Sequence, residues 1–119
     1  MDLKTRTFVY NVAIDCRLRH MHRRSGKTIV NFVVQLEIRH PTSGTWLPVV
    51  RYDTAHGFAH RDWVHPDGSS EKTPLPIEDY RQALNYAEAD LKDSWQLYRN
   101  RFLEELKHEE RKRTGQQES

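Results

Sequence analysis

Lys27-Thr-Ile-Val-Asn-Phe-Val-Val-Gln-Leu-Glu-Ile-Arg39 decides the fold. Val30, Phe32, Val34, Leu36 and Ile38 fall at every second position, against Asn31, Gln35, Glu37 and Arg39. Period two over that length is a strand with one buried face. Upstream, Phe8, Tyr10, Val12, Ile14, Cys16 and Leu18 repeat the pattern and predict a strand over Thr7–Leu18. Two such strands joined by a polar link containing Gly26 make an antiparallel hairpin. The link, Arg19-His-Met-His-Arg-Arg-Ser-Gly-Lys27, is the most basic segment of the chain. Its Arg19, His22, Arg23, Arg24 and Lys27 read as phosphate contacts for a nucleic acid. The plainer reading is an exposed hairpin tip kept soluble by charge.

Downstream, Pro41-Thr-Ser-Gly-Thr45 is a turn by composition. A third strand follows over Trp46–Asp53, with Pro48 marking an edge or a bulge. His60–His65 reads as a short strand, and Glu71–Leu75 as one more edge strand. A meander is the simplest order. Pro76 suits the first position of a helix, with Glu78 and Asp79 in its first turn. Ile77, Tyr80, Leu84, Ala87, Leu91, Trp95, Tyr98, Phe102 and Leu106 then recur at intervals of three or four. The expected fold is α+β: an antiparallel sheet of four or five strands over about 7–75, covered by one long helix over about 76–113. A tail from Gly115 to Ser119 is expected to be disordered. The helix, roughly 50 Å long by its rise per residue, is longer than such a sheet is wide. Its far end is therefore expected to overhang and dimerise through Trp95, Tyr98, Phe102 and Leu106.

The bulk numbers fit one domain of 119 residues, 36% apolar and 30% charged. Residues 1–39 carry eight Lys/Arg against three Asp/Glu, and residues 40–119 eleven against fourteen. A basic half and an acidic half suit an anionic partner or head-to-tail self-association. No apolar run approaches the roughly 20 residues that span a bilayer, and no signal core follows Met1, so a cytoplasmic protein is expected. The single Cys16 allows no internal disulfide and no cysteine-based zinc site. No phosphate-cradling glycine loop or nucleophile elbow is present, and no cofactor is implied.

Between the third strand and the helix lies Arg51-Tyr-Asp-Thr-Ala-His-Gly-Phe-Ala-His-Arg-Asp-Trp-Val-His-Pro-Asp-Gly68. Clustered ionisable groups of this kind are costly to bury unless paired. If the flanking strands pair around Ala55–Ala59, then Arg51, Asp53, His60 and Asp62 share one sheet face, with His56 in the turn. Three readings compete. The first is a metal-independent phosphodiesterase acting on RNA. Histidines supply base and acid, and Arg51 and Arg61 stabilise the phosphorane charge. In the second, His56, His60 and Asp62 or Asp53 hold a divalent metal. The His-x-x-x-His spacing suits a helix, which Gly57 and the flanking strands argue against, so no bound zinc or iron is expected. In the third the ion pairs are structural, in a non-enzymatic binding or assembly subunit.

Arg51-Tyr-Asp, followed by His56-Gly and His60-Arg after a sheet hairpin and before a helix, resembles the small toxins of the TumE kind from prokaryotic toxin–antitoxin pairs. It also resembles related uncharacterised prokaryotic families with that motif. The likeness covers about 18 residues. It implies an RNA-directed toxin paired with a small helix-turn-helix antitoxin, with a site at Arg51, Asp53, His60 and Arg61. Thr54-Ala-His56 stands where such proteins have an Asn and a longer charged loop. Asp62 stands where another His is common, which leaves His56 or His65 to complete an acid–base pair. The leading expectation is a toxin-like, RNA-directed, metal-independent ribonuclease.

Overall fold

Among the described residues every strand after the first pairs with the strand before it. The computed structural model describes residues 2–115 and holds one antiparallel sheet in chain order. Its strands are β1 (Leu3–Ala13), β2 (Cys16–Ser25), β3 (Thr28–Arg39), β4 (Trp46–Asp53), β5 (His60–Val64) and β6 (Ser70–Pro74). One helix, α1 (Tyr80–Arg113), follows. The meander and the covering helix are as expected, but there are six strands rather than four or five. Most of the tail from Gly115 to Ser119 lies outside the described residues.

The extra strand comes from the N-terminal half. The run Thr7–Leu18 is two strands joined by a turn at Ile14–Asp15, and the basic link is mostly β2 rather than a loop. Tyr10 pairs with Leu18 and Phe8 with His20, so even-numbered residues stay on one face through the turn. The period-two pattern therefore runs on unbroken where the chain reverses. Ile14, 88% exposed at the tip, completes the disguise because an apolar residue occupies a turn position. Pro48 sits at a bulge: Leu36 pairs with Val50 and Glu37 with Pro48, which leaves Val49 as the extra residue.

The core lies between the sheet and α1. Cys16, Leu18, Val34, Leu36, Val50 and Tyr52 are fully buried on the sheet's helix-facing side. They meet Ala83, Leu84, Ala87, Leu91, Tyr98 and Phe102. Burial of each large side chain stabilises the fold by about 1.5–3 kcal/mol. Cys16 behaves as a small hydrophobe, and burial pushes its thiol up to about 12.

Helix α1 begins later than Pro76. Asp79 is its N-cap, with an extended backbone, and its carboxylate accepts from the backbone N–H of Arg81 at 2.8 Å and of Gln82 at 3.2 Å. The helix then runs along β3 rather than across the strands. At its start the Tyr80 ring meets Phe32, and Arg81 Nη2 donates to the Lys27 carbonyl. At its end Glu110 contacts His40 Nε2 at 3.1 Å. A twelve-residue strand is about 40 Å long and supports most of a helix of about 51 Å. The strand therefore supports all but about two turns of the helix. Tyr98, Phe102 and Leu106 are buried and Trp95 is half-buried within the chain. Among the described residues no helix is long and apolar enough to cross a membrane.

Candidate functional site

Strands β4 and β5 set Arg51 opposite Asp62 and Asp53 opposite His60. All four residues lie on the sheet face turned away from α1. His60 is fully buried, between Asp53 Oδ1 at 2.6 Å from its Nε2 and Asp62 Oδ1 at 3.3 Å from its Nδ1. Lys72 Nζ, from β6, stands 3.6 Å from Asp62 Oδ1 and 3.5 Å from His60 Nε2. Arg51 turns away from these acids and donates from Nε to Gln35 Oε1 at 2.7 Å. His56 lies exposed on a short 3-10 turn, Ala55–Gly57, with its ring 6.3 Å from that of His60.

Arg61 is not part of this group. It pairs opposite Tyr52 on the other face, beside the Tyr52 and Tyr98 hydroxyls, both of which donate to Asp90. Alternation along β5 requires this separation. His60, with no exposed surface, has no path to a phosphodiester in this conformation.

The basic segment is divided in the same way. Arg19 and Arg23 project with Arg17 on the face away from α1. There Arg17, Gln35 and Arg19 bond Glu37 at 2.7, 2.6 and 3.2 Å. Burial raises the Glu37 carboxyl, but these bonds outweigh it and hold the group below its ordinary range. His22 and Arg24 project on the helix side, and Lys27 sits just past the Gly26 turn.

On that helix side lies a constellation the sequence reading did not assemble. His20 is buried under the Phe8 ring, 4.3 Å away and stacked. Its Nδ1 contacts Glu88 Oε1 of α1, and its Nε2 lies 2.7 Å from His22 Nδ1. Tyr10 donates its hydroxyl to Glu88 Oε2 at 2.9 Å. Burial raises the Glu88 carboxyl, but the His20 and Tyr10 bonds dominate and hold it ionised below the usual range. His22 is half-buried. Burial first, then His20 and the Arg6, Arg24 and Arg81 cations, lower its pKa, so it is neutral at pH 7. The local signal was His20-x-His22 in an alternating segment, which puts two imidazoles on one face. Glu88 and Tyr10 come from distant segments and carry no such signal.

With His20 neutral, its Nδ1–H donates to ionised Glu88 and its Nε2 accepts from His22 Nδ1–H. That leaves His22 Nε2 with its lone pair, the arrangement of a general base oriented through a second group. The three arginines beside it suit an anion.

A six-stranded meander backed by one helix, with charge clusters on both sheet faces, defines a two-layer α+β protein. The chain belongs to the family described as a domain of unknown function, DUF7718, whose model matches residues 1–108. That match spans the whole sheet and most of α1, and the description carries no activity. Comparison with curated proteins and with solved structures returned no match to this chain.

Proposed function

We propose that this protein is RNA-directed and that its chemistry, a metal-independent phosphodiester cleavage, is performed at His22 rather than His60. The observation that carries this reading is the Glu88–His20–His22 relay set beside Arg6, Arg24 and Arg81. The resemblance of Arg51–Arg61 to TumE-like toxins suggests RNA as the substrate, although those residues lie elsewhere in the fold. In the proposed step His22 Nε2 takes the proton of a ribose 2′-hydroxyl. The resulting oxygen attacks the adjacent phosphorus, and the bond to the 5′-oxygen breaks as water protonates it. The arginines carry the charge that develops on the phosphorane.

The test is cleavage of a fluorogenic RNA in EDTA, with a matched DNA as control. Wild type is expected to cut only the RNA, leaving 2′,3′-cyclic ends. His22→Ala should lose at least about 100-fold in rate, and Glu88→Gln should lose activity too, while Lys72→Met does not. Equal cleavage of DNA, or full activity in His22→Ala, would overturn the reading. Growth arrest on induction, lost in His22→Ala, tests the toxin-like role.

One observation favours a second reading, a non-enzymatic assembly subunit. The edge strand β1 leaves Leu3, Phe8 and Val9 exposed at 55%, 37% and 45%. An unpaired edge of this length invites a partner strand, from a second copy or another chain. Light scattering at micromolar concentration, with Val9→Lys as the disrupting variant, separates the two.

A further inference from the structure

The other sheet face carries a cluster that the RNA reading does not use. We propose that Asp53, His60 and Asp62 form a site for a divalent transition cation, beside the Lys72 ammonium that now faces Asp62.

The donors are assembled by register rather than by local spacing. One ligand atom from each of the three residues lies within 4.8 Å of the other two. Their exposures are 8%, 0% and 6%, so the group is held nearly dry. Its hydrogen bonding is incomplete. With the Nε2 proton of His60 shared with Asp53 at 2.6 Å, His60 Nδ1 faces Asp62 Oδ1 at 3.3 Å, and no hydrogen bond reaches either atom. Two buried acceptors facing one another are satisfied by a proton on the imidazole or by a cation between or beside them.

The spacing itself is informative. Two donors, each about 2.0–2.1 Å from an ion at the tetrahedral angle, stand about 3.3–3.4 Å apart. The His60 Nδ1–Asp62 Oδ1 separation of 3.3 Å falls there. Asp53 then serves either as a third ligand or as the carboxylate that fixes the imidazole tautomer. One nitrogen and two carboxylates suit zinc, manganese or ferrous iron, and two carboxylates balance a doubly charged ion.

Lys72 is the resident competitor. Its Nζ lies 3.6 Å from Asp62 Oδ1 and 3.5 Å from His60 Nε2, beyond good hydrogen bonds, and its side chain is 41% exposed. An ammonium held this loosely at the rim can swing into solvent when a stronger cation enters. Metal affinity and the Lys72 charge should therefore oppose each other.

The experiment is calorimetric titration of chelator-stripped protein with Zn2+ alone, paired with thermal shift. One ion per chain is expected, with a raised melting temperature. Lys72→Met, a rim substitution that does not disturb the buried residues, should bind about tenfold tighter or better because it removes a competing charge. Asp62→Asn should lose the binding. If that variant fails to fold, Lys72→Met still decides. No stoichiometric binding in either wild type or Lys72→Met overturns the site, as does equal affinity in the two. Binding that persists in a folded Asp62→Asn places the ion elsewhere and also overturns it. RNA cleavage resistant to EDTA is a separate readout, so the two proposals fail separately.

Discussion

Arg51 and Asp62 stand directly opposite one another across β4 and β5, yet the Arg51 guanidinium bonds Gln35 and leaves Asp62 to Lys72. The strongest claim on the buried charges therefore belongs to Asp53. It pairs with His60 at 2.6 Å and accepts from the Ala55 backbone N–H at 3.0 Å. Removing it strands a fully buried imidazole and unties the turn that follows β4.

Asp53→Ala is accordingly expected to cost about 3–5 kcal/mol, the scale of breaking a buried pair. Arg51→Ala removes one hydrogen bond to a partner that keeps its contact with Glu37, and should cost about 1 kcal/mol. Urea denaturation of both variants checks the ranking. Equal losses, or a larger one for Arg51, would show that Arg51 neutralises the acids after all.

The start of α1 gives a second test. Asp79 satisfies the first backbone donors of the helix, so Asp79→Ala should lose about 1 kcal/mol. Pro76→Ala, outside the helix, should change stability by less than about 0.5 kcal/mol. A larger loss at Pro76 than at Asp79 in thermal unfolding would move the cap back to where proline alone suggests it.

How much of this was legible depended on the range of the signal. The 3.6-residue stripe of α1 and the alternation of β3 and β4 are local, and each fixed its element from a single segment. The Ile14–Asp15 turn was hidden because its pairing preserves parity and its tip is apolar. The direction of α1 over the sheet was not local at all. It follows from Tyr80 meeting Phe32 at one end and Glu110 meeting His40 at the other. Candidate sites divided in the same way. Alternation and a single turn bring Arg51, Asp53, His60 and Asp62 to one face, but burial of His60 depends on packing the sequence does not display. The Glu88–His20 contact joins residues on different layers, so neither residue announces the other.

Between β4 and α1, Asp90 Oδ2 accepts from two hydroxyls, Tyr52 at 2.7 Å and Tyr98 at 2.6 Å. Burial and then the Asp90 bond raise both hydroxyls, Tyr98 to about 12. Asp90→Ala leaves two buried hydroxyl protons without an acceptor and should cost about 2–4 kcal/mol. Tyr98→Phe leaves the Tyr52 bond in place and should cost about 1 kcal/mol. Because the two substitutions share a partner, the double variant should lose less than the sum. Additive losses in a double-mutant cycle would mean that Asp90 does not bridge them.

The last prediction concerns pH. His65, at the end of β5, bonds Glu105 of α1 through Nδ1 at 2.5 Å and Glu71 of β6 through Nε2 at 2.7 Å. The Glu105 bond, then the Glu71 bond, raise the imidazole above its ordinary value. A raised folded pKa contributes stability that is complete below the unfolded value of about 6.5 and is lost as pH rises through the folded one. Glu105 has the opposite sign. Burial raises it, but the Arg101 and His65 bonds prevail and hold it below its ordinary value. Its contribution is present above the unfolded value of about 4.3 and is lost as pH falls through the folded one. The clamp between β5, β6 and α1 is therefore strongest at mildly acidic pH and weakens on either side. His65→Gln keeps a polar side chain but cannot carry the charge. The melting temperature of wild type should exceed that of the variant most near pH 6, with the gap closing as pH rises through the raised folded value and the imidazolium deprotonates. Fluorimetry of both proteins across one buffer series removes the contribution of every other titrating group. A gap that stays constant with pH would show that His65 holds these elements by packing and not by charge.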